Sequence, residues 1–193
     1  MNATTRFDAG AFATPANILT LSRILLAPPL FAVILANDDR RGASWVAFAI
    51  GLFVAVTDNL DGRLARRHGV TRSGAFLDPL ADKVVVLGVM VCLVIVDRYW
   101  WLPVAIVAAR ELAVSAWRTY WARRGVAIPA RRSAKYKTLV QGVALLLAVV
   151  PPLEDADAFH VVMLWIAVAF TVITGVQYAV DGQKAMSRTG ELA

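Results

Sequence analysis

The sequence predicts an all-α integral membrane protein with six transmembrane helices. Three observations predict it. The 193 residues are 59% hydrophobic, where a soluble domain is only about half apolar, and the mean hydropathy is +0.61. Apolar runs recur at close to the roughly 20 residues a helix needs to cross a bilayer. Each break between runs carries turn and loop chemistry: "NDDRRG", "RRHGVTRSG", "DRYWW", "RRGVAIPARRS" and "PPLEDAD". The chain reads as one membrane domain over 1–193, with an N-terminal segment at 1–15 and a tail at 182–193.

Span one is expected at 16–36, with Arg23 near its start and Pro28-Pro29 in its middle, so a kinked or shallow N-terminal part is expected. Residues 24–36 resemble the short apolar core of a signal peptide. No basic run precedes them and no small-x-small cleavage site follows, so a retained helix is expected. The remaining spans fall at 44–65, 76–97, 100–121, 137–153 and 159–181. Trp45, Trp100, Trp101 and Trp121, with Tyr99, sit near span ends and read as an interfacial aromatic belt.

Lysine and arginine orient the spans. Arg63, Arg66, Arg67 and Arg72 follow span two, and Arg118, Arg123, Arg124, Arg131, Arg132, Lys135 and Lys137 follow span four. Lys184 and Arg188 are in the tail, whereas the alternate loops carry only Arg40, Arg41 and Arg98. Both termini and both basic loops are therefore expected on the cytoplasmic side of the cell membrane. The net charge of +6 serves topology and attraction to anionic lipid. Nucleic-acid binding is not expected, because the basic residues are tied to span ends. Asp38, Asp39, Asp97, Glu154, Asp155 and Asp157 fall in the opposite loops and are expected to be solvated. Cys92 is read as packing, and His68 and His160 as surface residues.

The chemistry is concentrated in Asp58, Asp61, Asp78 and Asp82. The first two are three apart at the end of span two; the last two are four apart at the start of span three. Each pair shares a helix face, and the antiparallel neighbours bring both pairs to one membrane level. An aspartate costs about 2.5–3.5 kcal/mol at the centre of a spanning helix. Two carboxylates about 4 Å apart repel by roughly 4 kcal/mol at an effective dielectric of 20. Such a group needs protons or a cation, and Mg²⁺ binds through a few carboxylates together with substrate phosphates. The plainer alternative is a set of interfacial helix caps balanced by nearby arginines. A cation transporter would place its carboxylates near mid-membrane on broken helices, not at cytoplasmic helix ends.

The run Asp58-x-x-Asp61-Gly62-x-x-Ala65-Arg66, followed by Gly74-x-x-x-Asp78-x-x-x-Asp82, resembles the signature of the CDP-alcohol phosphotransferases. Seven residues separate Arg66 from Gly74, one fewer than that pattern has. Membrane prenyltransferases also hold diphosphates on aspartates, but they lack the Asp-Gly-x-x-Ala-Arg run. "NILTLSRILLAPP", "FLDPLADK", "ARELAVSAWR" and "KYKTLVQ" resemble the bacterial phosphatidylglycerophosphate synthase branch, with Ala134 where that branch has glycine.

The resemblance implies transfer of a phosphatidyl group from CDP-diacylglycerol to an alcohol, with release of CMP. The acceptor it favours is glycerol 3-phosphate; phosphatidylglycerol or an inositol phosphate would be the acceptor in neighbouring branches. It implies two Mg²⁺ or Mn²⁺ ions on Asp58, Asp61, Asp78 and Asp82, with Asp82 also the general base. It implies a nucleotide pocket formed by Gly62, Ala65 and Arg66, with Asn17, Thr20 and Arg23 along its wall. The alternative for those last three is interfacial capping and snorkelling. A homodimer surrounded by membrane lipids is also implied. The acceptor phosphate needs cations. Arg110, an ionisable group close to a span interior, is the first candidate, with Arg118, Lys135 and Lys137 beside it. The alternative for Arg110 is a pair with Glu111 or a span-three aspartate. For the other three it is simple positive-inside charge.

Overall fold

The computed structural model describes residues 15–68, 72–123 and 133–189. Six α-helices account for nearly all of them: α1 Pro15–Ala36, α2 Trp45–His68, α3 Arg72–Ile95, α4 Trp101–Arg123, α5 Ser133–Val149 and α6 Asp157–Thr189. Short 3-10 turns stand at Asp38–Arg40 and Pro151–Leu153, and no strand occurs among the described residues. The order and number of helices match the six apolar runs. Among the described residues, two helices, over Ile18–Ala36 and Asp157–Gln183, are long and apolar enough to cross a membrane.

The boundaries differ instructively. α1 opens on Pro15 and runs as one helix through Pro28 and Pro29 to Ala36. Proline is preorganised for the first helical position, where its missing N–H costs nothing. α2 continues to His68 and α3 begins at Arg72, so most of the expected basic loop is helix. The aspartates and their spacer residues therefore all lie on helical backbone. α5 stops at Val149 rather than 153 because Pro151 restricts the residue before it: Val150 is extended, at φ −81° and ψ 124°. α6 runs eight residues past 181, to Thr189, through "DGQKAMSRT".

The chain forms two compact units, Met1–Arg98 with Leu145–Asp155 and Tyr99–Ala144 with Ala156–Ala193. In the first, α1 packs against α2 and α3. Ala27, Leu30, Ile34, Ala47, Ala81, Met90 and Leu93 are buried there. On α3, Gly88 faces Phe31 of α1, and an added Cβ there would lie 2.2 Å from Cζ of Phe31. At the end of the unit away from the aspartates, Gly42 adopts a left-handed φ of +82°. The Ser44 N–H donates to the Val149 carbonyl at 2.9 Å.

Arg98, which the sequence offers only as a loop charge, is buried in this first unit. Its guanidinium donates to the carbonyls of Glu154 at 2.6 Å, Arg40 at 3.2 Å and Arg41 at 3.3 Å. The Glu154 carboxylate pairs with Arg40 at 2.7 Å, so it is not merely solvated. The buried arginine gathers three turn carbonyls, of which that of Arg40 also accepts from the Ala43 N–H at 3.0 Å.

In the second unit α4 packs against α6, around Val107, Leu164, Ala167 and Val168. The Gln141 amide donates to the Thr171 hydroxyl at 3.0 Å, both buried. Three expectations are corrected in this unit. Tyr99 is buried and donates its hydroxyl to the Ala144 carbonyl at 3.1 Å. Trp121 is buried against Trp117 and Tyr120, while Trp45, Trp100 and Trp101 remain exposed. His160 is also buried rather than at the surface. Nearness to a helix end does not decide whether a side chain is covered.

Candidate active site

In the first unit the site is built around a charge on α1. Arg23 lies three residues after Thr20, so the two share a helix face, and both are buried. One guanidinium nitrogen, Nη1, donates to Oδ1 of Asp58 on α2 at 2.6 Å. The same nitrogen donates to Oδ1 of Asp82 on α3. Arg23 is only 1% exposed, whereas the Asp58 and Asp82 side chains are 34% and 40% exposed. The arginine therefore approaches from the buried side, and the carboxylates stand between it and the surface. Beside Asp58, the Thr57 hydroxyl turns back onto its own helix, 2.9 Å from the Phe53 carbonyl.

The structure thus brings together Asp58 and Asp82, as the spacing predicts. It also supplies a cation that the sequence reading assigned to the nucleotide wall or to snorkelling. A charge inside an apolar helix needs a partner, and that signal was present; which carboxylates answer it depends on how α1 packs. Only the arginine is fully buried, so the loss of its partners would leave an uncompensated charge in the interior. Asp61, Gly62, Ala65 and Arg66 lie on α2, Asp78 and Gly74 on α3, and Asn17 on α1, but their side chains fall outside the described part. Among the described residues no three His, Cys, Asp or Glu side chains gather as a metal cage. Asp58 and Asp82 supply two hard oxygen donors from two helices, which suits Mg²⁺ or Mn²⁺ completed by further carboxylates and phosphate.

In the second unit the charges are arranged the other way round. The Arg110 Nη1 donates to Oε1 of Glu111 at 3.0 Å, and its Nη2 donates to the Thr174 hydroxyl at 3.0 Å. Lys137, from α5, donates to the same Glu111 oxygen. The three charged side chains are 15%, 14% and 9% exposed for Arg110, Glu111 and Lys137. Thr174 Oγ1 in turn donates to the Phe170 carbonyl at 2.7 Å. Gly175 leaves room for this arginine, since a Cβ there would sit 3.2 Å from Arg110 Cγ.

Arg110 and Lys137 are therefore neighbours, as two cations for one phosphate must be, and the pairing of Arg110 with Glu111 is also present. Arg118 is exposed on α4, eight residues from Arg110 and about 12 Å along the helix axis, and stands outside this cluster. The Lys135 side chain falls outside the described part. Glu111 as the shared anion of two cations is the residue that sequence reasoning weighed only as a partner of Arg110.

Residues 13–173 match the family model described as CDP-alcohol phosphatidyltransferase. The chain is 42% identical over 166 residues to a probable phosphatidylglycerophosphate synthase of Mycobacterium tuberculosis, covering 84% of this chain and 78% of that protein. It is 36% identical over 176 residues to the CDP-diacylglycerol–glycerol-3-phosphate 3-phosphatidyltransferase of Bacillus subtilis, covering 84% and 91%. Against the enzyme of the same name from Rickettsia typhi the identity is 32% over 167 residues, covering 84% and 93%. With the aspartate motif on adjoining helices and a family match running through five of them and into the sixth, the chain belongs to the CDP-alcohol phosphatidyltransferase family.

Proposed function

We propose that the protein transfers the phosphatidyl group of CDP-diacylglycerol to glycerol 3-phosphate, giving phosphatidylglycerophosphate and CMP. The observation that carries this reading is the convergence of Asp58 and Asp82 in a chain whose relatives, over most of their length, bear that activity in their names.

Asp58 and Asp82, with Asp61 and Asp78, would hold two Mg²⁺ or Mn²⁺ ions. When bound, these supply positive charge to the diphosphate oxygens as the bond to CMP breaks. Asp82 takes the proton from the acceptor hydroxyl as its oxygen attacks the phosphorus that bears diacylglycerol. Gly62 and Ala65 leave space for the cytidine, and Arg66, Asn17 and Thr20 line its pocket. Arg110 and Lys137 grip the acceptor phosphate, with Arg118 and Lys135 adding charge from the cytoplasmic side. Arginine offers a bidentate fork and lysine a point charge.

In this reading all six helices cross the cell membrane as one domain, both termini and the active site face the cytoplasm, and the protein is a homodimer. The outward apolar side chains, among them Leu25, Ile95, Leu139 and Val176, suit lipid or a second copy. The test is a panel of acceptors given to purified protein with CDP-diacylglycerol and Mg²⁺, with products identified by mass. Phosphatidylglycerophosphate from glycerol 3-phosphate is the expected product. Cardiolipin or a phosphatidylinositol phosphate as the sole product would overturn the choice of acceptor.

A further inference from the structure

Arg23 occupies an unusual place for a residue beside a metal site. One nitrogen of a permanently charged group contacts one oxygen from each of two carboxylates on different helices. A hard divalent cation would seek the same carboxylates. Arg23 is buried beneath them, and they are about a third exposed, so a cation arriving from the surface meets the aspartates with the arginine charge still behind them. Counted over these side chains, the charge is −2 from Asp58 and Asp82 and +1 from Arg23, leaving −1. Like charges a few ångströms apart repel strongly where water is scarce. A ligand that brings phosphate anions together with the metal offsets that repulsion; the bare metal does not.

We propose that Arg23 is an internal counter-cation that stabilises the paired aspartates in the absence of metal, and holds metal affinity low until a diphosphate-bearing nucleotide binds. This rests on the reading of Asp58 and Asp82 as metal ligands. Arg23 then links the two ligands thermodynamically: nucleotide tightens metal and metal tightens nucleotide by the same factor. It does so without touching the reacting atoms. A lysine keeps the positive charge, and the charge is what the role requires.

The test is Mn²⁺ binding to the full-length protein in detergent, read as loss of the free-Mn²⁺ paramagnetic signal, with and without CDP. The wild type is expected to bind Mn²⁺ weakly alone and more tightly with CDP. Arg23→Gln is expected to bind Mn²⁺ alone about ten- to hundredfold more tightly, with a correspondingly smaller gain from CDP. Its melting temperature in EDTA should fall and its stabilisation by Mn²⁺ should grow. Arg23→Lys should stay within about threefold of the wild type, as retained charge requires. Unchanged or weaker Mn²⁺ binding by Arg23→Gln overturns the proposal, because Arg23 is then an organiser and not a competitor. Tightening by Arg23→Lys equal to that by Arg23→Gln overturns it too. Arg23→Gln that folds only with Mn²⁺ supports it, and failure to fold even with Mn²⁺ counts against it. A wild type that binds no Mn²⁺ with or without CDP overturns the metal reading itself, and this inference with it.

Discussion

The two units carry clusters of opposite design. In the first, two anions from α2 and α3 share one cation from α1, Asp58 and Asp82 on Arg23. In the second, two cations from α4 and α5 share one anion, Arg110 and Lys137 on Glu111. Counted over those residues the first is −1 and the second is +1. Among these described side chains the excess charge has the sign that suits the ligand proposed for each cluster: metal cations in the first, acceptor phosphate in the second. The difference teaches that a buried charged site can be stored in folded form with a side chain standing where ligand charge will act. A fully neutralised cluster would give the ligand little to gain, and an unneutralised one would cost several kcal/mol per buried ion.

The comparison breaks most sharply at the reacting centre. Asp82→Asn removes the proposed base and proposed metal ligand, and is expected to lower turnover by about 10²–10⁴-fold. CMP release under saturating substrates measures it, and a helical circular-dichroism spectrum like the wild type shows the fold retained. The matching change in the second cluster acts on binding. Arg110→Ala is expected to raise the Michaelis constant for glycerol 3-phosphate about ten- to hundredfold, the worth of a lost pair of charge-assisted hydrogen bonds. The constant for CDP-diacylglycerol should move by less than about threefold, since Arg110 belongs to the other cluster. Varying each substrate in turn separates the two, and equal effects on both would erase the distinction between the clusters.

Glu111→Gln probes storage rather than binding. It leaves two cations side by side, and is expected to cost about 1–3 kcal/mol of stability, seen as a lower melting temperature in detergent. Added inorganic phosphate should restore part of that loss if the cluster takes an oxyanion, and none of it in the Arg110→Ala variant. The smallest effect is expected outside both clusters. Tyr99→Phe removes one buried hydrogen bond to Ala144, worth about 0.5–1.5 kcal/mol, and should leave both Michaelis constants unchanged.

The helices and the aspartate pair were legible in the sequence because each rests on local arithmetic. An apolar run of spanning length is a helix wherever it packs, and carboxylates three or four apart share a face once the backbone is helical. The limits of the basic loop were less legible, since "RRH" and "RSG" look like loop and yet extend α2 and α3. Arg23 and Glu111 were legible as charges and not as hubs. Their partners lie 35 and 59 residues away for Arg23 and 26 for the Glu111–Lys137 contact. Only packing decides such pairs. His160, Trp121 and Tyr99 misled for a related reason. A helix that is apolar on every side carries no amphipathic stripe to say which face is inward, so a residue near its end reads as interfacial whether or not a neighbour covers it. Glu154 went unread as a pair because its partner Arg40 belongs to a different loop.

The seat of Phe31 against Gly88 has a consequence for inheritance. The ring rests where a side chain on α3 would otherwise be, and a single methyl group there would come within 2.2 Å of it. Either the ring abandons its rotamer or α1 rides up from α3. Gly88 is six residues from Asp82 and Phe31 eight from Arg23, about 9 and 12 Å along their helices, so the disturbance travels along two stiff rods toward the charges they carry. Any amino-acid replacement that one nucleotide change produces at a glycine codon adds a Cβ, and with it the need for Phe31 or the helix to shift. A random search for temperature-sensitive alleles should therefore return codon 88 repeatedly, with growth lost on warming although every charged residue is intact.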